Sequence, residues 1–102
     1  MSKLNILVIC RHEEILATII RLINTNEQWN ATGVVTDEEA IATFGGAPFA
    51  VVLLGNGIEA TDELKLTQTF KSIRPEVSVI PHYGGGSGLL FAEIYEALAG
   101  RL

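Results

Sequence analysis

Four strand-like segments alternate with four helical segments along this chain, and that alternation leaves very few folds open to it. LNILVIC (4–10) is a continuous apolar run, and FAVVLLGNG (49–57) begins with another that stops at Gly55. Such runs are typical of strands buried on both faces. Two more strands are predicted at WNATGVV (29–35), whose polar content suggests an edge, and at EVSVIP (76–81). Short strands that alternate with helices predict a parallel sheet with right-handed crossovers.

The first two helices have clear sequence signals. Isoleucine and leucine recur at helical spacing from Glu13 to the asparagines at 24–26. In TDEE (36–39), Thr36 and Glu39 have the spacing of a capping box. In this motif each side chain accepts a hydrogen bond from the backbone N–H of the other residue. The second helix is therefore predicted to start there and to stop at the glycines at 45–46.

The third and fourth helices are predicted from capping and breaking residues. Thr61 is expected to cap the third helix, followed by first-turn acids, and Pro75 ends it after Arg74. After a loop at HYGGGSG (82–88), the segment LLFAEIYEALAG (89–100) is predicted to form the last helix. The buried residues of the third helix are expected to be Leu64, Phe70 and Ile73.

Together these elements predict a three-layer α/β/α fold, a flavodoxin-like, doubly wound parallel sheet of four strands in order 2-1-3-4. The first and last helices would cover one face, and the second and third helices the other. Ligands in such sheets bind beyond the carboxyl ends of the strands, where the strand order reverses. The candidate ligand-binding residues at or near that point are Cys10, Arg11, His12, Gly55, Asn56 and His82.

Size and charge exclude several classes of function. At 102 residues the chain is expected to be one domain, 1–102. The net charge of -5 and the scattered basic residues argue against a nucleic-acid partner. No apolar run approaches the ~20 residues of a membrane span, so no membrane partner is expected. Cys10 is the only cysteine, which fits a reducing compartment and predicts a cytoplasmic location.

The order and spacing of these segments resemble the receiver domains of two-component response regulators. The resemblance rests on ILVICRHEEILATIIRLI, WNATGVVTDEEAIATF, FAVVLLG and SIRPEVSVI, which span residue 4 to about residue 80. Receivers accept a phosphoryl group on an aspartate at the end of the third strand. Beside it, an acidic pair after the first strand holds Mg²⁺, which offsets the gathered negative charge. The resemblance implies a signalling module of the same fold.

The chain departs from the receiver pattern at each of these positions. The phosphoacceptor position falls on Gly55, the acidic pair on Cys10 and Arg11, and the hydroxyl position near Tyr83. The fifth strand and its lysine have no counterpart. Glu13 and Glu14 are expected in the first turn of a helix rather than as substitute ligands. The expectation is a shortened, non-catalytic receiver-like module that is not phosphorylated on aspartate, needs no cofactor, and acts through an unidentified protein partner.

A second resemblance gives an alternative function. Lactose/cellobiose-type IIB subunits of the sugar phosphotransferase system are four-stranded parallel α/β domains with a phosphorylated cysteine at the end of the first strand. The run ILVIC places Cys10 there. The resemblance implies a small cysteine phosphocarrier, although the loop that follows, RHEEILA (11–17), carries two acids where a phosphate cradle would need small residues.

Cys10 and the glycine-rich loop each allow a functional and a structural interpretation. Cys10 is either a thiol activated by Arg11 or His12, or a small apolar residue that closes a buried strand. A metal site of Cys10, His12 and His82 lacks an evident fourth ligand, so no metal is expected. The loop is either an anion or phosphate site or a pliable crossover capped by Ser87, and the residues concerned are Gly84, Gly85, Gly86 and Ser87.

Without a fifth strand, the fourth strand becomes an edge of the sheet. Its backbone groups would be unpaired on one side, and such edges invite pairing unless they are blunted. Pro81 can blunt one end because proline has no N–H to donate. A symmetric partner could cover the rest, so a homodimer is predicted.

Overall fold

A computed structural model describes residues 3–55, 57–81 and 87–99 of the chain. Strands and helices alternate throughout. The elements are β1 (Leu4–Ile9), α1 (Glu13–Ile23), β2 (Trp29–Val34), α2 (Asp37–Gly45), β3 (Phe49–Leu54), α3 (Ala60–Ile73), β4 (Ser78–Pro81) and α4 (Ser87–Ala99). No helix in these three ranges is long and apolar enough to cross a membrane.

The four strands form one parallel sheet in the order β2-β1-β3-β4, which confirms the predicted topology. The two apolar runs lie at its centre, and all six residues of β3 are buried. In β1, burial is complete from Ile6 onwards. Strands covered on both faces need apolar side chains on both, and this explains why the runs are continuous rather than alternating.

The first two helices begin where the sequence predicted. Glu13 and Glu14 lie in the first turn of α1, where their carboxylates interact favourably with the positive end of the helix dipole. At α2 the predicted capping box forms. The Glu39 N–H donates to Thr36 Oγ1 at 3.2 Å, and the Thr36 N–H donates to Glu39 Oε1 at 3.3 Å. This pair fixes the entry into α2 directly after β2.

Helix α3 differs from the prediction in its start and in its buried face. It begins at Ala60 after Glu59, so Thr61 lies inside the helix and does not cap it. Leu66, at 2% exposure, and Phe70 enter the core, whereas Leu64 is 60% exposed. Two residues rotate a helix by about 200° at 3.6 residues per turn, so Leu64 and Leu66 cannot face the same way. Ile73, also predicted to be buried, is the last residue of the helix and is exposed.

Two apolar layers lie on opposite faces of the sheet. On one face, Leu16 of α1 and Ile94 of α4 join residues of β1 and β3 in a single cluster. On the other face, Phe44 of α2 and Phe70 of α3 pack with their ring centroids 4.7 Å apart. The last helix therefore lies on the face covered by α1, as predicted. It begins at Ser87 itself, two residues before the predicted start, so Ser87 is its first residue rather than its cap.

Candidate functional site at the carboxyl ends of the strands

The carboxyl ends of the three neighbouring strands are joined by backbone hydrogen bonds beyond the strands themselves. The Cys10 N–H donates to the Val34 carbonyl at 3.1 Å, and the Gly55 N–H donates to the Ile9 carbonyl at 2.7 Å. Each bond continues the parallel ladder by one residue. Cys10 and Gly55 are thereby brought together at the reversal of strand order, the place that the topology predicted for a site.

The space around Gly55 is crowded by the end of β1. A Cβ atom placed on Gly55 would lie 3.1 Å from Cys10 Cβ and 3.1 Å from the Ile9 carbonyl oxygen. Both distances are shorter than ordinary van der Waals contact between such atoms. A side chain at residue 55 would require the end of β1 to shift, so the glycine allows β3 and the exit of β1 to approach closely.

Cys10 is an interior residue. Its side chain is fully buried and belongs to the apolar cluster beneath α1 and α4. Its thiol contacts the His12 carbonyl oxygen at 3.5 Å, within reach of a weak S–H···O bond. These surroundings favour the interpretation of Cys10 as a small apolar residue that closes a buried strand.

Arg11 lies at the carboxyl ends of the strands, and its side chain connects three chain segments. Its Nη1 donates to the Val35 carbonyl oxygen at 2.7 Å. Its Nη2 forms an ion pair with Asp37 Oδ1 at 2.5 Å and lies 3.8 Å from Asp62 Oδ2. Val35 and Asp37 follow β2, whereas Asp62 lies in the first turn of α3. The planar guanidinium, with its several fixed donors, suits this bridging position.

Gly57 makes room for the Arg11 side chain. It has a φ of +90°, in the left-handed region that favours glycine. A Cβ atom at residue 57 would lie 2.7 Å from Arg11 Cβ and 2.8 Å from Arg11 Cγ. The turn after β3 is thus shaped around the base of Arg11, and Gly55 and Gly57 both serve close packing at the ends of the strands.

The other candidate residues are not all brought to this point. His12 precedes α1 with an exposed side chain, and it lines a shallow depression with Glu13 and Glu14. Of the candidate residues in the glycine-rich loop, only Ser87 is described, through its backbone at the start of α4. The predictions for Asn56, His82 and Gly84 to Gly86 lie outside the described residues.

Asp37 and Asp62 were missed as members of the site. From the sequence, Asp37 belongs only to the capping-box segment TDEE, and Asp62 only to the first-turn acids of the third helix. The topology nevertheless contains the missing signal, because α2 and α3 begin just beyond the carboxyl ends of β2 and β3. An acid in the first turn of either helix therefore lies near the segment that follows β1, and that segment contains the cation Arg11.

The residues present do not fit a divalent cation of the receiver type. Mg²⁺ takes oxygen ligands, and the positions expected to supply them hold a buried thiol, a guanidinium and a glycine. Arginine offers only donors and a fixed positive charge. Within the described ranges, no group of three or more His, Cys, Asp or Glu residues has the arrangement of a metal site.

Comparison with known proteins identifies the fold. No protein-family model and no curated protein matches the sequence. Among solved structures, a sensor protein from Polaromonas sp. JS666 matches with a TM-score of 0.83 at 10% identity, over 99% of this chain and 100% of that one. A two component transcriptional regulator AraC from Clostridium phytofermentans ISDg matches with a TM-score of 0.68 at 20% identity, over 97% and 91%.

A third match names the domain type in its description. The non-phosphorylated receiver domain of the stress response regulator RcsB from Escherichia coli matches with a TM-score of 0.64 at 17% identity, over 94% of this chain and 76% of that one. This chain has the receiver fold. The resemblance to receivers is confirmed at the level of the fold, whereas the resemblance to phosphotransferase IIB subunits is not supported.

Proposed function

We propose that this chain is a non-catalytic, receiver-like signalling module that acts by protein–protein contact and is not phosphorylated on aspartate. The observation that carries the proposal is the position of Arg11. It follows β1, where the resemblance to receivers expects a metal-binding acidic pair, and its guanidinium is engaged by Asp37 and Asp62. Gly55 follows β3, where the phosphoacceptor is expected.

The charge arrangement at the strand ends supports a module that is not switched by a phosphoryl group. Phosphorylation of a receiver adds a dianion beside a bound dication, so the charge of the site changes with the signal. In this chain the cation is part of the protein and already has carboxylate partners. Arg11 joins the loops at the strand ends through contacts within the protein, so regulation would depend on the presence of the module and its partner rather than on a phosphoryl group.

The cysteine phosphocarrier gains no support from the described residues. Cys10 is fully buried, so its thiol is not open to a phosphate donor, and it does not line the neighbouring depression of Arg11, His12, Glu13 and Glu14. The lone buried cysteine is compatible with the reducing cytoplasm, which we propose as the location of the protein.

The phosphorylation claim is tested with acetyl phosphate and Mg²⁺. Wild-type protein is incubated with both and analysed by intact-mass spectrometry, with an aspartate-bearing receiver domain as the positive control. We expect an adduct on the control and none on this chain. A phosphoryl adduct on the wild-type protein would overturn the proposal, and its loss in Cys10→Ser would transfer the function to the thiol.

A further inference from the structure

A shallow groove runs between the edge strand β4 and helix α4. Its volume is about 480 Å³, and its lining is Ile80, Pro81, Glu93, Glu96 and Ala97. The floor is apolar, and the two glutamates stand on the α4 side. The Ser78 hydroxyl donates to the Ala97 carbonyl oxygen at 3.3 Å, which ties β4 to the last turns of α4 beside the groove.

The outer edge of β4 has the hydrogen-bonding capacity to accept a further strand. β4 ends the sheet on this side, and among residues 3–55, 57–81 and 87–99 no strand pairs with its outer edge. In a parallel strand alternate residues direct their N–H and C=O groups outward. An extended segment that paired with this edge would place alternate side chains over the groove.

The charges around the groove select the chemistry of such a segment. Glu93 and Glu96 put two carboxylates on one wall. The groove also lies against the last turn of α4, where the helix dipole is negative and where the helix carries no basic residue. Arginine or lysine would match both features, because its aliphatic stem can cover Ile80 and Ala97 while its charged group reaches the glutamates.

The same charges disfavour a second copy of this chain at the groove. An antiparallel pair of β4 strands related by a two-fold axis perpendicular to the sheet would keep both α4 helices on one face. Glu93 and Glu96 of both copies would then line one continuous interface. Like charges held close together are repulsive, and the net charge of -5 adds to that repulsion.

We infer that the β4–α4 groove binds an extended, cationic protein segment that adds to the sheet at β4. This inference rests on the proposed function, since it supplies the contact surface through which a non-phosphorylated module would act. The partner segment is predicted to alternate basic residues with apolar ones, with its basic side chains on the α4 face. The homodimer predicted from the sequence would compete for the same edge.

The test measures the binding of a fluorescein-labelled peptide, Arg-Val-Arg-Val-Arg-Val, by fluorescence anisotropy. The peptide with glutamate in place of arginine is the charge control. We expect the cationic peptide to bind and the acidic one not to bind. In the variant Glu93→Gln/Glu96→Gln, Kd should rise about tenfold, as expected for the loss of two exposed ion pairs. The matched variant Glu27→Gln/Glu59→Gln has the same net charge and should leave Kd within about twofold.

Further measurements locate the binding and separate the possible failures. On addition of the peptide, the amide chemical shifts of Val79, Ile80 and Ala97 should move. If the double variant unfolds, the Kd of Glu96→Gln alone replaces it in the comparison. Equal binding of both peptides, an unchanged Kd in the groove variants, or a dimer whose shifts map to β4 would overturn the inference. Pro81 of the groove pairs with Leu54, next to Gly55, so the two tests are distinguished by their readouts. A phosphoryl adduct in the mass spectrum would defeat the proposed function, whereas a negative anisotropy result would defeat only the inferred peptide contact.

Discussion

Arg11 contacts the segment after β2 and the first turn of α3 at the same time. In a receiver the corresponding mouth gathers carboxylates and therefore needs a metal ion to offset their charge. Here the polarity is reversed: the segment after β1 supplies the cation, Arg11, and the acids come from the starts of two helices. One arginine thus offsets part of the charge of two carboxylates with a cation that belongs to the protein.

The two ion pairs of Arg11 should differ in strength, and double-mutant cycles can measure the difference. Arg11→Gln is combined separately with Asp37→Asn and Asp62→Asn, and the free energy of unfolding is measured with urea. We expect a coupling of about 0.5–1 kcal/mol with Asp37 and no more than a few tenths with Asp62. The reason is distance, since the pairs are separated by 2.5 Å and 3.8 Å. A larger coupling with Asp62 would show that the guanidinium is placed differently.

Gly57→Ala tests whether the turn after β3 is built around Arg11. A methyl group at residue 57 would collide with Arg11 Cβ and would hold alanine at a φ of +90°. We expect the free energy of unfolding to fall by about 1–3 kcal/mol. Urea unfolding followed by the fluorescence of Trp29, the only tryptophan, measures the change.

Gly45→Ala is the matched control for this substitution. Gly45 ends α2, and a Cβ atom there would meet nothing within 4 Å. Alanine favours a helix over glycine, so the variant should match the wild type or exceed its stability by up to about 1 kcal/mol. If the two alanine variants lost equal stability, the crowding at Gly57 would not be the cause.

At the scale of elements, α3 shows which side chains hold the helix to the sheet. Leu64 and Leu66 are identical in type and two positions apart, yet one is 60% exposed and the other 2%. Leu66 packs with Phe70 in the cluster that also contains Phe44 of α2. Helix α3 is therefore anchored by one apolar stripe, and Leu64 contributes little to its attachment.

The pair Leu66→Ala and Leu64→Ala tests this orientation with a single chemical change. Leu66→Ala should lower the free energy of unfolding by about 2–5 kcal/mol, because it removes buried methyl groups and leaves a cavity. Leu64→Ala should change it by no more than about 0.5 kcal/mol. Urea titration compares the two variants, and equal losses would mean that α3 faces the sheet through a different stripe.

The elements that were predictable from the sequence are those whose signal is local. The apolar runs of β1 and β3 predict strands buried on both faces, and the Thr36–Glu39 capping box predicts a helix start. These elements lie where the sequence predicted them. Helix α3 has a weaker pattern, in which apolar Leu64 lies on the face away from the sheet. Thr61 also resembles a cap, although the helix begins one residue earlier, at Ala60.

The site was predictable only in part, for a related reason. Chain order and topology place Cys10 beside Gly55, because both follow central strands. The partners of Arg11 depend on the direction of a long side chain across three loops. That direction is set by the space over Gly57, a tertiary contact that no spacing in the sequence encodes.

At the scale of the whole molecule, the described residues form a receiver-type sheet of four strands with helices on both faces. The strand β4 is followed by one helix, which returns to the face covered by α1 and places Leu90 and Ile94 in its core. The Polaromonas sensor protein aligns over its full length with this chain, so the same arrangement is compatible with a second, very different sequence. Within the described residues, two helices cover each face of the sheet.

These two faces should contribute to one cooperative unfolding transition while behaving as separate packing units. Ile94→Val removes a methylene beneath α4 and should cost about 0.5–1.5 kcal/mol, whereas Leu66→Ala acts beneath α3 on the opposite face. Because the sheet lies between them and they share no cluster, the double variant should equal the sum of the single ones within about 0.5 kcal/mol. For each variant, far-ultraviolet circular dichroism and Trp29 fluorescence should give the same urea midpoint as each other, as a two-state domain requires. Separate midpoints, or a coupling well above that limit, would mean that α4 and its face unfold as a unit of their own.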